Sequence, residues 1–312
     1  MLISNDRKSE PREPIHPELN FFGILSHAML CSVGIATVFF SPLPMMLSHI
    51  RLPEPWPKIT ALLGAVVALL LLETSVIPVV GAFAFGLFVA DQVKLKQDFW
   101  LLLGKASIFA LGIGSLIIFS MSQMESLSVS AFWQAHVTKM ISQFKESVGP
   151  EGAQIQWDTL EAMLLFEGPF LFLAGSMLSL WVSVGIAAHF EWFDKKHPLR
   201  SSQLRKVRLP NWFSLLFVGG FIAVALSSGE EPSLFSGIIR ILGVLMFIQG
   251  CVCISEVMKG RKLGSRVRTL VYSLSILLGF YAVVGMGVLS PVFYQRQKKN
   301  IKRFNRTLEE GI

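Results

Sequence analysis

The chain has 312 residues, 52% of them hydrophobic and only 16% charged, and its mean hydropathy is +0.57. That balance excludes a water-soluble globular domain, in which about 25% of residues carry charge. Lys and Arg outnumber Asp and Glu by 28 to 21, but the excess lies in connectors and in a basic tail, where it meets lipid headgroups rather than nucleic acid.

Residues 1–19 are polar, mix both charge signs and carry Pro11, Pro14 and Pro17, so a disordered lead is expected rather than a cleaved signal. The first span is expected near 20–40 and stops at Ser41-Pro42-Leu43-Pro44, where two prolines forbid continued helix. A loop with Arg51, Pro53, Pro55 and Pro57 follows. From Ile59 to Ala90 the chain is apolar except for Glu73-Thr74-Ser75. A single helix over that stretch would be ~48 Å long, too long to cross upright, so two spans near 59–72 and 76–90 are the better reading.

The fourth span is placed near 99–120, with Lys105 able to snorkel to the interface. In the long connector that follows, Val129, Phe132, Trp133, Val137, Met140, Ile141 and Phe144 recur at helical spacing, with Lys139, Gln143, Lys145 and Glu146 opposite them. This predicts an amphipathic helix over 128–147, lying on the membrane or capping the bundle, and ended by Gly149-Pro150. The fifth span, near 160–190, is interrupted by Glu167-Gly168-Pro169 and is expected to kink or to begin with a half-helix. A basic connector with Lys195, Lys196, Arg200, Arg205, Lys206 and Arg208 leads to spans near 212–226, 234–258 and 269–294, and then to the basic tail 296–312. The expectation is one all-α membrane domain over 20–295, a polytopic transmembrane bundle of about eight spans. Orientation is not settled by charge, because basic clusters flank the last span on both sides.

No nucleotide-binding or catalytic signature is present, so no enzyme is expected, and an ATP-driven pump would need a separate ATPase subunit. Cys31, Cys251 and Cys253 fall in apolar segments and read as packing residues. His189, Glu191, Asp194 and His197 are the densest set of metal-ligand types, but they adjoin a basic connector at a helix end, so neither metal nor cofactor is expected.

Ionisable and amide groups inside apolar segments are the better functional candidates, since burying a charge there costs ~2.5 to 3.5 kcal/mol on insertion scales. Glu73, Glu167, Arg240 and Gln249 are the candidate substrate-binding residues. Each has a quieter reading: a hairpin turn for Glu73, headgroup proximity for Glu167, snorkelling for Arg240. Gln249 and Glu256 share a helical face, whereas Arg240 points the opposite way. Small residues at four-residue spacing, among them Ala28, Ser32 and Ala36, serve either internal packing or docking of another membrane subunit.

Three short motifs, Phe39-Phe40-Ser41-Pro42-Leu43-Pro44, Leu209-Pro210-x-Trp212 and Leu245-x-Phe247-x-Gln249-Gly250, together resemble the YybS-like family of bacterial membrane proteins. That family has no assigned activity and is akin to the substrate-binding S components of energy-coupling-factor (ECF) vitamin transporters. The resemblance covers about residues 20 to 295 and marks Ser41, Pro42, Pro44, Pro210, Trp212 and Gly250 as motif positions. It implies a bacterial inner-membrane protein with an S-component-like core and a small-molecule cavity. It further implies a subunit-docking ridge at Ala28, Ser32 and Ala36. The amphipathic insertion and the extra spans depart from the six-helix S-component plan. The expected function is small-molecule binding or transport with partner subunits; the alternative is a scaffold for an envelope or division complex.

Overall fold

The computed structural model describes residues 21–37, 41–72, 76–149, 156–190, 192–226, 234–260, 267 and 281–292, and among them every regular element is a helix. The chain divides into two compact units, Met1–Lys94 and Leu95–Ile312. The first holds α1 (Phe21–Ala36), α2 (Pro42–Arg51), α3 (Trp56–Leu72) and α4 (Val76–Lys94). The second holds α5 (Phe99–Met124), α6 (Val129–Val148), α7 (Trp157–His189), α8 (Ser201–Leu204), α9 (Asn211–Leu226), α10 (Leu234–Gly260) and α11 (Tyr281–Val292). Among the described residues, four helices are long and apolar enough to cross a membrane: α4, α5, α7 and the Phe235–Met258 stretch of α10. The remaining apolar helices, Phe22–Ile35, Trp56–Leu70, α9 and α11, are shorter; at ~1.5 Å per residue α9 covers ~24 Å, less than the ~30 Å of hydrocarbon.

In the first unit α1 and α3 meet at Gly64, where a Cβ would stand 2.6 Å from the Cys31 side chain and 2.8 Å from the Ala28 carbonyl. Ala28, Cys31, Ser32 and Ile35 are buried along this seam, so a small residue on each helix is what lets the backbones approach. Ser41-Pro42-Leu43-Pro44 was expected to stop the first span, and it also opens a further helix, α2, which takes in Arg51 of the expected loop, while Pro57 of that loop lies in the first turn of α3. The prolines stop α1 but fit a new first turn, whose N–H groups lack helical partners in any case. The face of α2 carrying Pro42, Met45 and Met46 is buried, with Gly86 of α4 leaving the room that Met45 fills. Further along, His49 faces Asp91 at 3.5 Å and Lys94 binds Glu54 at 2.7 Å, so α2 runs parallel to the second half of α4. The Lys94 ammonium holds the Glu54 carboxyl below the usual carboxylate range.

In the second unit α7 and α10 run parallel: Glu167 meets Ser236 and Arg240, Phe170 covers Gly237, and Trp181 meets Phe247 edge to face at 6.0 Å. Against α10, α9 is antiparallel, with Ser214 donating to Met246 Sδ at 3.7 Å and Ile239 lying over Gly220. Helix α11 is antiparallel to α10 as well and touches it backbone to backbone, since a Cβ on Gly250 would collide with the Val283 carbonyl and one on Gly287 with the Met246 carbonyl. Helices α5 and α7 are antiparallel, with Gly114 at Phe172 and Lys96, just before α5, 3.9 Å from Asp194, just after α7. The core where these helices meet is Met246, Phe247, Cys251, Val283 and Val284, joined by Trp181, Leu209 and Phe213.

Candidate functional site

Helix α7 is continuous over 33 residues and passes through Gly168-Pro169, where a kink or a half-helix was expected, so no separate half-helix precedes the proline. A proline inside a helix has no N–H and leaves the carbonyl four residues earlier, here Leu165, without its donor. That carbonyl is satisfied from outside: the Trp133 indole Nε1–H of α6 donates to Leu165 O at 3.1 Å. Gly168 makes the approach feasible, because a Cβ there would stand 2.5 Å from the indole ring. Helix α6 is well specified to deliver this side chain. Ser128 caps its N-terminus by accepting from the Ala131 N–H at 3.3 Å, Gly149 at φ 59 ends it, and Phe132, Val137 and Ile141 form its buried face. A second bridge, Thr138 Oγ1 to Glu161 Oε1 at 2.6 Å, fixes the two helices further along.

Beside the proline, Glu167 is buried, with 1% of its surface exposed. Ser236 donates to its Oε1 and Arg240 Nε pairs with its Oε2, both from the first two turns of α10. A carboxylate inside apolar surroundings needs such partners, and here the Arg240 guanidinium supplies the opposite charge while Glu167 Oε2 accepts no hydrogen bond. The Arg240 side chain remains 46% exposed, so the pair has a buried end and an open end.

A second polar node lies on the other face of α10. Gln249, 2% exposed, accepts the Leu209 N–H at 3.0 Å. Leu209 precedes Pro210 and is therefore held out of helical conformation, which leaves its N–H in need of this partner. Gln249 Nε2 is buried and unbonded. Two turns on, Glu256 pairs with Arg208, whose guanidinium is held below its usual pKa by burial while Glu256 acts in the opposite sense. Gln249 and Glu256 thus share one face and Arg240 serves the other.

The structure brings Glu167 and Arg240 together and places Gln249 apart; Glu73 lies outside the described residues. Ala28 and Ser32 are buried against α3, so the ridge expected to dock another subunit is engaged inside the chain and would have to shed α3 to be presented. The Ala36 side chain lies outside the described residues. Among the motif positions, Ser41, Pro42 and Pro44 are buried at the start of α2, and Gly250 seats α11. Pro210 precedes α9, and Trp212, 53% exposed, stacks on Phe213 at 3.8 Å between ring centroids. His197 accepts from the Leu199 N–H at 3.1 Å and stacks on Phe193, and Asp194 faces Lys96; among the described residues no cluster of His, Cys, Asp or Glu gathers in a metal-holding arrangement. Trp133, Ser236 and Arg208 were not singled out as site residues from sequence. Ser236 carried a signal, standing one helical turn before Arg240 on the same face.

No curated protein and no solved structure matches the chain. The profile of a family described as predicted membrane protein (DUF2232) matches residues 21–290, and the chain belongs to that family of membrane proteins.

Proposed function

We propose that this protein is a non-enzymatic membrane component that binds a small molecule and passes it on, with Glu167, Arg240 and Ser236 as its polar recognition element. We further propose an S-component-like core of YybS-like type, about eight crossings, a bacterial inner-membrane location and partner subunits. The observation that carries the reading is a buried carboxylate gripped by an arginine and a serine from a second helix of crossing length, beside a proline. Ionisable groups at such depth are expensive to keep and most often mark a pathway or a ligand. The open end of the Arg240 guanidinium gives a polar group of a ligand somewhere to bind. Gln249, with an unbonded buried amide, is a second candidate contact, and Glu73 stays a candidate on sequence grounds.

A membrane scaffold is the second reading, favoured by the Ser236 and Arg240 partners that Glu167 already has within the chain. The deciding experiment is purification from native membranes in mild detergent, with identification of bound small molecules and co-purifying subunits, followed by thermal shift across a metabolite panel. A ligand whose stabilisation disappears in Arg240→Met supports recognition at this node. Scaffold partners without a ligand, and no shift across the panel, would overturn it.

A further inference from the structure

Among its described residues the second unit sorts its charge by end. Because α7 is parallel to α10 and antiparallel to α5, the start of α5, the end of α7, the connector 192–210 and the end of α10 gather at one end. Helix α6 and the starts of α7 and α10 gather at the other.

At the connector end several cations are already matched: Lys96 by Asp194, Arg208 by Glu256, and Arg205 is folded onto Ser201 at 2.9 and 3.1 Å. Lys195, Lys196 and Lys206 are exposed and have no acidic partner among the described residues. Around them stand amphipathic and aromatic side chains: Phe190, 63% exposed, stacked with Trp192, and Trp212, 53% exposed, stacked on Phe213. Exposed rings beside unpaired lysines at the ends of crossing helices are the composition of the headgroup layer. The opposite end differs in kind. There Lys139 and Lys145 stand among Glu125, Glu146, Asp158 and Glu161, and Lys145 lies over the Trp157 ring at 5.9 Å.

We infer that the connector end of the second unit is a docking surface for anionic phospholipid headgroups of the cytoplasmic leaflet, held by Lys195, Lys196 and Lys206. The lysines supply charge that no described acidic residue matches, and the rings set the depth at which that charge meets phosphate. The inference also orients the unit: α6 and the Glu167 node stand toward the outer face, independently of whether that node binds a ligand.

The test uses the full chain in nanodiscs of phosphatidylcholine alone or mixed with phosphatidylglycerol. Native mass spectrometry should show preferential retention of phosphatidylglycerol, and unfolding should be later in the mixed discs at low salt, with the difference shrinking as salt is added. The exposed triple variant K195Q/K196Q/K206Q should lose the preference, by about fivefold per lysine, while K139Q/K145Q keeps it. Equal retention of both lipids, persistence of the preference in the triple variant, or equal loss in the control variant overturns the inference. A second arm reads orientation with a membrane-impermeant maleimide on intact cells; the native Cys31, Cys251 and Cys253 are buried. Lys145→Cys should label directly and Lys196→Cys only after permeabilisation, and the reverse pattern overturns the assignment to the cytoplasmic leaflet.

Discussion

Trp133→Phe is the sharpest test of how α7 survives its proline. The substitution keeps an aromatic ring on α6 but removes the N–H that the Leu165 carbonyl accepts at 3.1 Å, together with part of the indole's contact at Gly168. Leaving that carbonyl without a donor costs about 1–3 kcal/mol. Pro169→Ala supplies the control, because it restores the backbone N–H that bonds Leu165 O along the helix. On that background Trp133→Phe should cost only its lost ring contact, so the two positions are coupled by roughly 1–2 kcal/mol. The cycle is measured by SDS titration in mixed micelles, followed by far-ultraviolet circular dichroism so that loss of an indole does not alter the signal. Equal losses from Trp133→Phe with Pro169 and with Ala at that position would refute the reasoning, since the indole would then be stabilising something other than the carbonyl freed by proline.

Gly250→Ala and Gly287→Ala each drive a methyl into a backbone carbonyl of the facing helix, which cannot swing aside, so losses at or above the ~3 kcal/mol end of overpacking are expected. Gly104→Ala and Gly185→Ala meet open space and should be neutral or stabilising by up to about 1 kcal/mol in the same titration. Glu167→Leu or Arg240→Met alone should cost about 3 kcal/mol, the lower end for a broken buried pair because the Arg240 side chain is 46% exposed. The double variant should recover most of that loss, and strict additivity would show that the two are not a unit. Gln249→Leu strands the Leu209 N–H, at about 1–3 kcal/mol, and hydrogen exchange at the Leu209 amide should accelerate; unchanged exchange would remove Gln249 from that role. In the first unit the Glu54 carboxyl is held low by Lys94. Its contribution is therefore present above the unfolded carboxylate pKa and is lost as pH falls through the folded value, so Glu54→Gln should flatten that acid-side dependence, most visibly at low salt.

Helix positions were legible wherever periodicity or apolar length reports on one element alone. The recurrence of Phe132, Val137 and Ile141 reads out the inner face of α6, and Ser128 and Gly149 mark its ends. The opposite-face relation of Arg240 to Gln249 also follows from helical geometry, and each finds its partner on its own side. What single-element reasoning could not supply was partners. Glu167 and Arg240 were each visible as costly residues, yet their pairing depends on α7 and α10 lying parallel, which is fixed by Gly237 under Phe170 and by Trp181 on Phe247. The ridge of Ala28 and Ser32 shows the same limit. Small-residue spacing says that a backbone will come close, but only Gly64 opposite it says which backbone.

Proline makes the limit physical. Pro42 and Pro44 open α2, Pro78 sits in the first turn of α4, and Pro169 lies deep inside α7. All four lack an N–H, and what separates the outcomes is whether the freed carbonyl has another donor. At a first turn there is no preceding helical carbonyl to orphan, so proline is accepted wherever a helix starts. In mid-helix the continuation depends on a donor from a distant segment, and in α7 that donor is Trp133. A chain in water could hydrate such a carbonyl and need no partner. Away from water it cannot, and the Trp133 donor from α6 then supports α7 through the turn that carries Glu167. The polar node with Arg240 and Ser236 therefore rests on a helix that does not itself touch those side chains through any of the bonds that hold the node together. If that dependence holds, Trp133→Ala should weaken any ligand effect that depends on Arg240 while leaving Glu167, Ser236 and Arg240 chemically intact.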